Sequence, residues 1–197
     1  MSTRKKIKAS EQKYLNKTSG SVWGAYFAKT INNIEVRRFL LNYSWYRPRD
    51  VVRMMQYLQE FCERDTVRIN QEVFDRAIQR YSSGMWNEVS EEMSLRYSPD
   101  DMKAIKKILT GISVPFDMKY FNSRMEILAK NYVYVEEFSQ KYRTPDVLDS
   151  LFDWGIIGNS GERMVFSFLG YKEMDITKPM IIHTPLRNYF EVVGKNG

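Results

Sequence analysis

From Pro48 onward the chain repeats apolar residues at helical spacing. Val51, Met54, Met55, Leu58, Phe61 and Cys62 fall three and four apart, so they share one face of a helix that opens at Pro48. A second stripe, Phe74, Ala77, Ile78, Tyr81, Met85, Val89 and Met93, predicts a long helix interrupted at 82–84, where Ser82-Ser83-Gly84 lowers helix propensity. A third stripe, Met102, Ile105, Ile108, Leu109 and Ile112, leaves Lys103, Lys106 and Lys107 on the opposite side. Phe121, Met125, Leu128 and Tyr132 continue the pattern. Upstream, 22–31 (VWGAYFAKTI) and 35–43 (EVRRFLLNY) are shorter helical candidates.

The end of the chain changes character. Segment 155–171, GIIGNSGERMVFSFLGY, holds two short β-prone runs around a turn at Asn159-Ser160-Gly161. KPMIIHTP, 178–185, adds a third extended run before a last helix over 185–190. Prolines mark the helix starts. Ser98-Pro99, Thr144-Pro145 and Thr184-Pro185 each pair a capping hydroxyl with a proline in the first turn. Helices followed by a hairpin are the layout of a winged helix-turn-helix. Its first helix is 98–109, with SVPF (113–116) as a short first strand. The second helix is 121–129, the third 145–154, and the wing runs from 156 to about 183. The expected fold is therefore mainly α: a helical bundle over 21–95, then a winged helix-turn-helix with a small β-hairpin wing over 96–197.

The formal charge of +6 points to nucleic acid until it is located. Residues 1–20 carry six cations against Glu11, a net +5, which leaves the rest close to neutral. The basicity belongs to a polar, flexible tail rather than to the folded body. A basic start with no apolar segment after it is not a secretory signal, and no run approaches the ~20 apolar residues of a membrane span. With Cys62 the only cysteine, no internal disulfide forms and a reducing cytoplasm fits.

One helix start is anomalous. In YRPRDVV the cap position holds Arg47, a donor with no acceptor, and Arg49 follows Pro48. A cation loses about 0.3–1 kcal/mol at the positive end of a helix dipole, and Asp50 offsets only part of that. Helix N–H groups with two guanidiniums form a phosphate site; the alternative is surface pairing with Asp50 or Glu35.

YRPRDVVRMM, VFDRAIQRYSSGMWNEVSEEM, LFDWGIIGN and IIHTPLRNYF, in that order, resemble the C-terminal lid plus winged-helix region of bacterial P-loop ATPases of the AAA+/STAND type. The resemblance spans 23–190. Its motifs are an RPRD that opens a lid helix, a YS matched by Tyr81-Ser82, and an HP ending, here split as His183-Thr184-Pro185. It implies that Arg49, with Arg47 second, contacts the terminal phosphate of ATP or ADP together with an ATPase core, in cis or in trans. No G-x-x-x-x-G-K-[ST] exists among the ten glycines, and Gly194-Lys195 has neither spacing nor hydroxyl. The apolar-acidic run VYVEEF, 133–138, imitates a Walker B strand but reads as an ordinary helix or strand. The chain is thus expected to be a lid plus winged helix without its motor. It would bind no cofactor alone and be no enzyme, acting as a regulatory or interaction module.

Other chemistry is thin. One histidine, His183, and one cysteine make no zinc site. Nothing in the sequence brings Cys62 to His183 as a nucleophile–base pair, and a buried, inert thiol is expected. Glu91-Glu92, Glu136-Glu137 and Asp100-Asp101 point about 100° apart on a helix and form no glycosidase pair. The methionines and Trp23, Trp45, Trp86 and Trp154 read as packing. The alternative function is a DNA-binding winged helix. Its third helix would carry Asp146, Asp149 and Asp153 with no lysine or arginine, which opposes insertion between phosphates. Lys103, Lys106, Lys107, Arg163, Lys172, Lys178 and the tail remain as possible backbone contacts. No membrane partner is expected.

Overall fold

Asn32 and Asn33 both adopt left-handed backbone, φ 51° and 61°, in the computed structural model, which describes residues 24, 26–63 and 68–194. Asparagine tolerates this region better than most residues, and two such residues make a tight turn that matches strand twist. The turn joins β1 (Thr30–Ile31) to β2 (Ile34–Glu35), with Thr30 opposite Glu35 and Ile31 opposite Ile34. The helix predicted over 22–31 therefore gives way to strand at its end; residues 22, 23 and 25, like the tail at 1–20, lie outside the described residues.

The chain divides into two units, Met1–Ile78 and Gln79–Gly197. In the first, α1 (Val36–Asn42) starts where the Glu35 carboxylate accepts the Arg38 N–H at 3.1 Å. Next come α2 (Pro48–Glu60) and the start of α3 (Gln71–Met93), where the Asn70 side chain accepts the Val73 N–H. Phe39, Leu40, Met54, Leu58 and Phe74 are buried, and the Phe39, Tyr43 and Phe74 rings lie 4.5–5.0 Å apart.

The second unit begins in α3, which does not break at 82–84. Ser82 faces inward, fully buried, and its hydroxyl donates to the Pro185 carbonyl at 2.5 Å. That bond offsets the low local propensity. Then follow α4 (Pro99–Leu109), α5 (Met118–Ala129), α6 (Val133–Lys141) and α7 (Thr144–Asp153). The run VYVEEF is helical within α6 and buries Val135 and Phe138 against α4 and α5.

Capping follows the prediction once in three. Ser98 and Asp101 form a reciprocal capping box at α4. At α7 the cap is Arg143, and Thr144, one residue inside, donates its hydroxyl to Asn122 Oδ1 at 2.6 Å. At α8 (Thr184–Arg187) the cap is His183. Neither supplies a side-chain cap, because each hydroxyl sits one position too late.

β3 (Ile157–Asn159) pairs antiparallel with β4 (Met180–Ile182), Gly158 opposite Ile181. The predicted second run, VFSF, is not a strand. Val165 makes one bridge to Asn159, and Ser167–Leu169 is a 3-10 turn closed by Gly170 at φ 91°. The chain crosses tightly over Gly158, where a Cβ would lie 2.3 Å from the Val165 carbonyl oxygen and 2.6 Å from the Phe166 ring. SVPF likewise contributes isolated bridges, Ser113 to Val193 and Phe116 to Met180, rather than a continuous strand. Among the described residues no helix is long and apolar enough to cross a membrane.

Candidate functional site

The arginine-flanked start of α2 is built around a buried acid. Pro48 sits in the first turn and Arg47 is the cap, extended at ψ 134° as a residue before proline must be. Arg47 makes no side-chain capping bond. Asp50 is 1% exposed, and its Oδ2 accepts the Trp45 N–H at 3.2 Å. The Ser44 hydroxyl donates to the Leu41 carbonyl and accepts the Tyr46 N–H, while Tyr46 itself takes left-handed backbone at φ 55°. This turn delivers Arg47 and Arg49 to the surface. Arg49 Nε lies 3.6 Å from Asp50 Oδ1, with the arginine side chain 54% exposed. Part of the anion that offsets this helix start is therefore internal. It reaches Arg49 Nε, and Arg47 and Arg49 are both exposed residues.

The six other cations fall into two sets. Lys103, Lys106 and Lys107 project from α4, and each ammonium stands over a tyrosine ring: Tyr134 at 4.3 Å, Tyr189 at 4.7 Å and Tyr132 at 4.4 Å from the centroid. Arg163, Lys172 and Lys178 are exposed on the segment between β3 and β4, where Lys178 pairs with Asp175 at 3.3 Å. The third predicted helix, α7, is acidic as expected. Asp146 is held bidentately by Arg143. Asp149 is pushed above the ordinary carboxylate range, first by desolvation and then by Asp153, Asp146 and Glu173.

Sequence periodicity missed several polar anchors. Asp101 Oδ2 accepts the Ser98 N–H, the Lys141 ammonium at 2.7 Å and the Tyr142 hydroxyl at 3.2 Å, which ties α4 to the end of α6. Burial alone would raise its pKa; Lys141 and Ser98 together outweigh that and hold it below the usual range. Arg124 donates to the Ile108 carbonyl at 2.7 Å and to the Thr110 carbonyl, closing the C-terminus of α4. Ser98 is a local partner of Asp101, but Lys141, Tyr142 and the two carbonyls bound by Arg124 are distant in sequence, so no local pattern reveals those contacts.

His183 is fully buried beside Phe166 and Phe168, and burial lowers its pKa to about 3. It serves as a neutral packing group. Cys62 is half-buried just past α2, its thiol donating to the Leu58 carbonyl, and burial pushes the thiol up while Arg76 acts the other way. Trp45 and Trp86 are buried and Trp154 partly so; Trp23 lies outside the described residues.

Fold and site together define a helical module carrying an exposed arginine pair at one helix start. Residues 2–90 match the family model of a FunZ-associated C-terminal helical domain. The matched segment includes Arg47, Arg49 and Tyr81-Ser82 and ends inside α3. No curated protein and no solved structure matches the chain significantly.

Proposed function

We propose that this chain is a non-catalytic interaction or regulatory module whose α2 start reads a phosphate presented by a partner nucleotide-binding core. The carrying observation is the exposed Arg47-Pro48-Arg49 start, held in place by buried Asp50. Helix N–H groups and a planar guanidinium suit phosphate oxygens. The segment falls inside the match to a domain named as C-terminal and helical, which supports a module that accompanies another part. The likeness of its motifs to the lid of P-loop ATPases supplies the nucleotide.

Titration of the chain with ATP and with inorganic triphosphate tests this. Weak binding is expected, lost in Arg49→Ala with the thermal midpoint unchanged. A variant that binds as well as the parent, or that unfolds, overturns the reading. Hydrolysis of ATP by the purified chain at an enzyme-like rate would overturn the non-catalytic part.

A second reading rests on element order. Helices α4, α5 and α7 followed by the β3–β4 pair run as in a winged helix, with α6 inserted. That order supports DNA binding; the acidic face of α7 opposes the usual groove contact. DNA affinity that survives deletion of residues 1–20 and falls on neutralising Arg163 and Lys172 would favour this reading over the first.

A further inference from the structure

Within the second unit, α3 and α4 flank an open groove of about 510 Å³. Its accessible apolar surface comes from Pro99 and Met102, over the nearly buried Trp86 and Tyr97, and Lys103 and Lys106 also line it. We infer that this groove docks an acidic amphipathic peptide segment of a partner protein, apolar side chains entering the groove and carboxylates meeting Lys103 and Lys106.

Charge carries the choice of occupant. Each ammonium rests over a tyrosine ring, and among the described residues neither lysine pairs with a carboxylate. A ring face orients an ammonium without neutralising it. Two fixed positive charges therefore border an apolar floor, the complement of a helix that alternates acids with leucine- or phenylalanine-like anchors. Leu95, which follows the lining residue Ser94 in the chain, is 90% exposed.

Other chemistries fit less well. Single-stranded nucleic acid needs open ring faces for its bases. Here Trp86 and Tyr97 are at most 5% exposed, Trp86 is already stacked on Tyr189, and Tyr134 and Tyr189 are covered by lysines. A small ligand needs converging polar groups. The Ser90 and Ser94 hydroxyls are spent on carbonyls of their own helix, those of Asn87 and Glu91.

The groove lining does not include Arg49, so its test fails independently of the phosphate reading. Phage displaying random peptides of about 16 residues are selected on the full-length chain, and winning peptides are synthesised for anisotropy titration. The expected winners combine acids with apolar residues at i, i+3/i+4 and i+7. They should bind less tightly as salt rises, and weaken about tenfold or more in Lys103→Glu/Lys106→Glu. Leu95→Ser, a surface change, should weaken them less while leaving the circular dichroism unchanged. Peptides without acids, or binding indifferent to both variants, overturn the proposal. So does oligo(dT) binding that the charge reversal abolishes, which assigns the surface to nucleic acid. Concentration-dependent dimerisation that the reversal dissolves gives the groove to a second copy instead.

Discussion

Asp101, His183 and Asp149 each contribute to the pH response, and they do not share a sign. Asp101 is held low, so its contribution is present above the ordinary carboxylate range and is lost as pH falls through its folded value. His183 is also depressed, to about 3, so its contribution is present above about 6.5 and declines as pH falls below that. Asp149 is raised, so its contribution is present only below the usual carboxylate pKa and disappears as pH rises. Asp149→Asn should therefore stabilise the protein at neutral pH, measured by urea unfolding at pH 7; a loss would contradict the charge crowding on α7. Asp101→Ala removes half of a capping box and a buried acceptor, and should cost about 1–3 kcal/mol at pH 7. His183→Phe should flatten the stability profile between pH 6.5 and 4. An unchanged slope there would show that the imidazole titrates normally.

At the scale of elements, close approaches decide what strands and helices do. The hairpin after Ile31 exists because two asparagines accept left-handed backbone. β3 can be crossed by Val165 and Phe166 because residue 158 has no Cβ. Gly158→Ala forces a contact with backbone that cannot rotate away, and should destabilise by about 1–3 kcal/mol in thermal or urea melts. A neutral result would mean that the Val165 carbonyl can move away from residue 158 at little cost. α3 is unbroken through Ser82-Ser83-Gly84 because the Ser82 hydroxyl meets the Pro185 carbonyl, 103 residues away. Ser82→Ala leaves that carbonyl buried without its donor, at a cost of about 1–3 kcal/mol, whereas Ser83→Ala on the exposed face should change little. Equal effects at the two serines would remove the explanation for the unbroken helix.

Over the whole molecule, charge is segregated. The tail at 1–20 holds most of the net charge, while α7 is acidic and α4 presents lysines. Binding to duplex DNA should be weak, fall steeply with salt, and vanish when residues 1–20 are deleted. Salt-insensitive binding retained by the shortened chain would place the contact in the folded body. The helices of α2 through α5 and α7 were legible because their apolar stripes recur at a period that only one buried face satisfies. So were the proline-marked starts, the helix anomaly at Arg47-Pro48-Arg49 and the acidity of α7, all properties of neighbouring residues. Local sequence could not show that Ser82 meets Pro185, that Asp101 gathers Lys141 and Tyr142, or that three lysines each find a tyrosine. Sequence offered Asp50 as a partner for Arg49, and the two do meet, but it could not show that Asp50 is buried and also accepts the Trp45 N–H. Periodicity records which face of an element avoids water. Which polar group answers another across distant segments depends on how those faces pack, and only the folded chain fixes that.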